Sequence, residues 1–279
     1  MTASWPSRTP LRFSVNLWTG RITPICGEGC ALLILLSLHG CAQNNAFSPP
    51  PDGEQVTITV KVPPNLAAEP MQVIYRSEKC LLKRSGRDWT SYEVDGYFGT
   101  TVHPQQQGQS DLYEAKLPVN GGGRCNWQLS NVTFGVTYAN TAHLGEKIKP
   151  GPGGGVIVMF DGNLPQQRSA FQSTTEVSGD ALIKREYYPW VNEQFIGGHK
   201  KLVWLVGRED MYLYYRAPNA RKVMFEPLLH ADDLVYSVGP KIHKEGNRNR
   251  YTYADGSVEM GDGKPTFQKL QAIRLGKSQ

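Results

Sequence analysis

Few residues in this sequence have the type and spacing to do chemistry. The densest polar cluster is His230-Ala231-Asp232-Asp233, which could supply a base beside two carboxylates. Its position just ahead of Leu234-Val235-Tyr236 fits a solvated turn better. The other histidines, His39, His103, His143, His199 and His243, form no close metal-binding pair. Cys26-x-x-x-Cys30 has no second Cys or His pair to complete a metal site. Neither a Gly-x-Ser-x-Gly elbow nor a Ser-x-x-Lys motif occurs, so the familiar serine-hydrolase signatures are missing. The glycine runs at Gly121-Gly122-Gly123 and Gly153-Gly154-Gly155 are not phosphate loops, because Gly155 leads into Val156 with no Lys and no helical pattern. Paired carboxylates for glycoside cleavage need only converge in space and leave no trace in spacing. The chain therefore reads as a non-enzyme, with no cofactor and no metal.

The first forty residues read as an export signal. Ala31–Leu38, ALLILLSL, is too short for a membrane span of about 20 residues but long enough for a secretory apolar core. Arg8, Arg12 and Arg21 precede it against one acid, Glu28, which gives the positive flank such a core needs. Leu38-His39-Gly40-Cys41 follows directly and resembles the lipobox of bacterial lipoproteins, although His39 replaces the usual small or aliphatic residue. The resemblance implies lipidation of Cys41, attachment to the membrane on the periplasmic side and, from Ala42 following the cysteine, the outer membrane. Residues 41–54, rich in polar residues and ending in Pro49-Pro50-Pro51-Asp52-Gly53, then read as a tether, reaching roughly 40 Å if extended.

Export also frames the cysteines. With Cys26 and Cys30 removed and Cys41 lipidated, Cys80 and Cys125 remain to pair in an oxidising compartment. Losing 1–40 removes three arginines and one glutamate, so 27 basic residues face 24 acidic ones. That near balance, scattered along the chain, argues against a nucleic-acid partner.

The remaining 239 residues are mainly β in pattern, with hydrophobic residues at 39% and charged residues at 20% of the whole chain. Gln55–Val62 alternates strictly before Pro63-Pro64; Met71–Leu82 and Asp111–Val119 are further strands. In Arg124–Tyr138 the alternation slips at Ser130-Asn131, predicting a bulge in one long strand or two strands in tandem. Cys125 and Trp127 share a face there, which points to an antiparallel β-sandwich-like domain over 55–162. A second β-rich domain or subdomain is expected over 163–279. In it Lys201–Val206, Met211–Tyr215 and Arg221–Leu229 would form an antiparallel meander, and Asp255-Gly256 would turn a hairpin. Ala181–Tyr188 is a possible helix before Pro189, and Lys264–Leu275 fits helix or strand.

The aromatics around Pro189 are most simply core. If any form a partner-binding face, Tyr188 and Trp190 are the candidates, since Pro189 and polar residues flank them. The lipobox, Cys80, and Cys125-Asn126-Trp127 running into Val132-Thr133-Phe134-Gly135-Val136 resemble lipoproteins that act as immunity partners of type VI secretion phospholipase effectors. That resemblance implies a protein partner, a secreted lipase effector whose active-site entrance is covered. The alternatives are an envelope structural or assembly lipoprotein holding a membrane or cell-wall component, and an anchored hydrolase.

Overall fold

The computed structural model describes residues 45–276 apart from 87, 164, 166–172 and 209–211. The expected signal peptide at 1–40, the lipobox and Cys41 lie outside the described residues. In chain order the strands are β1 (Gln55–Lys61), β2 (Leu66–Ala68), β3 (Met71–Ser85), β4 (Ser91–Val102), β5 (Gln105–Gln106) and β6 (Leu112–Pro118). Then come β7 (Asn120–Gly122), β8 (Trp127–Tyr138), β9 (Ile148–Pro150), β10 (Gly154–Met159), β11 (Thr174–Glu176) and β12 (Ala181–Gln194). The last are β13 (Lys200–Val206), β14 (Tyr212–Arg216), β15 (Lys222–Leu229), β16 (Val235–Val238), β17 (Asn249–Thr252) and β18 (Val258–Gly261), followed by helix α1 (Phe267–Arg274).

The protein is mainly β, built from two mixed sheets. One runs β18-β17-β16-β12-β15-β1-β6-β5, with β13 and β9 attached beside β12; the other runs β11-β14-β10-β8-β3-β4, with β2 and β7 on β8. Alternation places Val56, Ile58 and Val60 of β1 inward, where they join Val73 and Tyr75 of β3 and Val132, Phe134 and Val136 of β8 in one core. Phe134 and Phe225 meet edge to face at 6.1 Å across the sheets. In β8 the bulge lies where the phase slips: Ile74 faces Asn131 and Tyr75 faces Leu129, leaving Ser130 as the extra residue.

The expected boundary at 162/163 does not divide this fold. Gln43–Gln279 is one compact unit. Strand β1 lies between β6 and the parallel β15, while β10 lies between β8 and the parallel β14. Each sheet thus joins strands from both halves of the chain, at β15 beside β1 and at β14 beside β10.

The meander is also corrected. Strand β13 pairs with β12 and β9, β14 with β10 and β11, and β15 with β1 and β12, so none of the three pairs with another. Their alternation fixes that each is a strand; the partner edge is supplied by residues far away in sequence. The segment expected as a helix from Ala181 is the first half of β12, with Ala181, Ile183, Arg185 and Tyr187 all buried in strand alternation. Pro189 is in register with Leu205 of β13, but it falls after the last β15 partner at Tyr187 and before the first β16 partner at Trp190, a break in the ladder that tolerates the missing N–H. The Asp255-Gly256 hairpin forms between β17 and β18, and Phe267–Arg274 is helical.

The expected tether is shorter than its sequence. Phe47 inserts between Tyr75 and Phe98 at ring distances of 4.7 and 5.0 Å. The Ser48 amide donates to the Gly121 carbonyl at 2.9 Å, and Trp127 Nε1 donates to the Asn45 carbonyl at 3.1 Å. A side chain at Gly121 would overlap the Phe47 ring, so the glycine makes that approach possible. The partly buried Phe47 ring and the backbone hydrogen bond of Ser48 together work against the entropy of a segment that composition marks as flexible.

Candidate functional site

Strands β1, β15 and β12 are parallel, and the sheet splits where β1 and β15 reach their carboxyl ends beside the middle of β12, which runs on to Gln194. The last register pair between β1 and β15 is Val60 with Phe225. Beyond it β1 stays with β6, the Val62 amide donating to the Asp111 carbonyl at 2.8 Å, until Pro63-Pro64 ends the ladder. Strand β15 stays with β12 through Pro227 with Arg185, Leu228 with Glu186 and Leu229 with Tyr187. Between the diverging pairs opens a cleft of about 630 Å³.

Its walls carry Lys61, Lys184 and Arg185 against Asp111, Glu186 and Glu226. Lys184 Nζ lies 3.4 Å from Glu226 Oε2, an exposed pair that contributes little stability. Arg185 is buried, with its guanidinium 5.5 Å from the centre of the Tyr187 ring. Leu228, half exposed at 54%, gives the rim an apolar anchor, and Leu182 is exposed on the neighbouring strand. With Arg185 turned inward, the open walls carry Lys61 and Lys184 beside Asp111, Glu186 and Glu226, together with Pro63, Pro64, Pro227 and one apolar rim residue. Among the described residues no three His, Cys, Asp or Glu side chains come together to hold a metal ion.

Glu186 connects the cleft to the cluster flagged by His230. The ring of His230 stacks on Tyr188 at 4.8 Å, and its Nε2 is 3.7 Å from Glu186. Arg274 donates from Nε to the Tyr188 hydroxyl at 3.0 Å and reaches within 3.9 Å of Glu186. Burial raises the Asp233 carboxyl above its ordinary range and keeps the Tyr188 phenol protonated. Asp232 is exposed and the Asp233 amide closes a turn onto the His230 carbonyl at 3.2 Å, but His230 itself is enclosed. These groups join the C-terminal helix to β12 and present no activated nucleophile.

Tyr188 and Trp190 are not a surface. Tyr188 is fully buried and Trp190 is 5% exposed, in a second core made with Val235, Tyr251, Phe267 and Leu270. The polar handle of Trp190 is spent internally, its Nε1 donating to Ser237 Oγ at 2.7 Å. Helix α1 packs on that face of β12, and β16 and β17 extend the sheet beside it, so flanking polar residues are a poor guide to exposure.

Cys80 and Cys125 are joined in a disulfide with Cα atoms 5.3 Å apart. The bridge ties β3 to the turn before β8, and the buried Ser77 hydroxyl donates to the Cys125 carbonyl at 2.5 Å beside it. Sequence reasoning missed the cleft because its walls come from β1, β6, β12 and β15; Pro63-Pro64 was the one local signal that a ladder must stop there. Compared with protein-family models, curated proteins and solved structures, the chain has no match in any of the three.

Proposed function

We propose that this is a periplasm-facing lipoprotein, lipidated at Cys41, that binds and neutralises a protein partner, namely a type VI secretion phospholipase effector. The observation that carries the reading is the mixed-charge cleft where β1 and β15 end beside the first half of β12. Two further features support it. The disulfide fits an oxidising compartment. Asn45, the first described residue, contacts Trp127 at the start of β8, whereas Leu66, just after the Pro63-Pro64 wall, pairs with Tyr138 at its end. A strand of 12 residues, roughly 40 Å, thus separates Asn45 from the cleft, a spacing that would leave the cleft turned outward if Cys41 carries the anchor.

The partner's polypeptide enters the cleft with Leu228 as apolar anchor and the alternating charges setting register. The test is a pull-down from envelope extract with residues 42–279 as bait and the products of adjoining genes expressed alongside. A single stoichiometric enzyme that loses activity on binding, and that Leu228→Arg fails to retain, supports the reading. Recovery of envelope components or glycan alone moves it to a structural or assembly lipoprotein.

A further inference from the structure

From the Cys80–Cys125 bridge outward, the second half of β3 and the first part of β4 leave the sandwich as a free hairpin. Up to Arg76 strand β3 is paired on both edges, with β4 and β8; from Leu82 to Ser85 it pairs with Val94 to Ser91 of β4 alone. No residue from Glu78 to Ser85 is buried. A two-stranded ribbon is marginal by itself, and here the disulfide holds its base. The ribbon passes over β4 at Gly96, where any side chain would overlap the Cys80 carbonyl. At its tip Trp89 sits in the left-handed region with φ 59° and 96% of its surface exposed. Tyr92, Leu81 and Tyr97 are the other exposed apolar side chains on these two strands.

A naked tryptophan on a stapled arm has a physical use only where something covers it, and chain length says what does. Asn45 is fixed at the arm's base, its Oδ1 3.9 Å from Cys80 Sγ. In the lipidated mature protein only Ala42, Gln43 and Asn44 separate it from Cys41, a span of at most about 14 Å. From Cys80 to Trp89 the arm reaches about 20 Å, so it spans the gap that the tether leaves. Trp and Tyr rings, apolar in body and polar at one edge, favour the membrane–water interface. Over 78–95 four basic residues balance four acidic ones, so the rings rather than charge supply the attraction.

We infer that the Trp89 hairpin is a second membrane contact, inserting into the interface of the bilayer to which Cys41 is anchored. It rests on lipidation at Cys41 as read above. Together the acyl chains and the ring hold the domain at a fixed tilt with its cleft outward, the anchor making insertion effectively intramolecular.

The experiment separates the two ideas. Residues 41–279 are coupled through the Cys41 thiol to a maleimide-headgroup lipid in phosphatidylethanolamine/phosphatidylglycerol vesicles carrying brominated acyl chains. Trp89 emission is read as the difference between the protein and its Trp89→Phe variant. Quenching by the brominated chains, undiminished when phosphatidylglycerol is left out, is the expected result. Emission that is unquenched and open to iodide overturns the inference, and leaves the arm to a protein partner. Lipidation is read apart, by flotation of the natively expressed protein against Cys41→Ser; loss of flotation in the variant alone supports the anchor whatever Trp89 does.

Discussion

Removing the Cys80–Cys125 bridge should destabilise the protein mainly by lengthening the free loops of the unfolded chain. The cysteines are 45 residues apart in sequence, and the chain-entropy relation assigns a loop of that size about 4 kcal/mol. Cys125 is fully buried, so Cys80→Ala/Cys125→Ala also forfeits some dispersion contacts there. Urea unfolding of residues 42–279, followed by far-ultraviolet circular dichroism, should then shift its midpoint down by roughly 1.3–2 M for a slope of about 2–3 kcal/mol per M. The loss should also be uneven. Amides of Lys83 to Tyr92 depend on the bridge at their base, whereas Val132 and Val158 lie in the shared core, so hydrogen exchange should accelerate most in the hairpin. A double variant within about 1 kcal/mol of the parent, or one exchanging uniformly faster, would refute the view of the bridge as a loop constraint and hairpin staple.

Phe225→Ala removes the ring that meets Phe134 between the sheets and should destabilise the whole unit by about 3–5 kcal/mol in a single transition; two separable transitions would contradict one shared core. Gly121→Val should expel Phe47 and expose residues 45–54 to proteolysis while the rest stays resistant, which limited digestion and mass spectrometry would read. Asp180 accepts the Arg221 and Lys222 amides at 2.9 and 2.8 Å, which hold its carboxyl below the ordinary 3.8. Its folded pKa being lowered, the stability it contributes is present above the unfolded value and lost as pH falls through the folded one, so Asp180→Asn should flatten that acid limb in pH-dependent unfolding.

Local pattern carried the strands but not their neighbours. Gln55–Lys61 and Trp127–Tyr138 could be recognised because alternation repeats the buried face residue by residue, and the slip at Ser130 marked the bulge. The Cys80–Cys125 pair followed from compartment and count. What stayed hidden depends on distant chain. The parallel pairings of β1 with β15 and β10 with β14 leave no local mark, so a two-domain reading was natural. The charged residues and proline of ALIKREYYPW obscured β12, whose burial comes from sheets and a helix assembled elsewhere. Phe47 lay in a polar stretch whose composition spoke of a tether, yet one ring and a matching glycine gap fix the segment to the body. The cleft needed all four contributing strands in place before its walls could face each other.

Neutralisation of a protein partner through the cleft is open to an inhibition titration. Purified residues 42–279 are added to any phospholipase found among the products of adjoining genes, with hydrolysis of phospholipid vesicles as the readout. Activity should fall linearly to zero at a 1:1 ratio, and Leu228→Arg should weaken the block at least about tenfold, the equivalent of 1.4 kcal/mol. Full activity at excess protein, or equal inhibition by the Leu228→Arg variant, would contradict it.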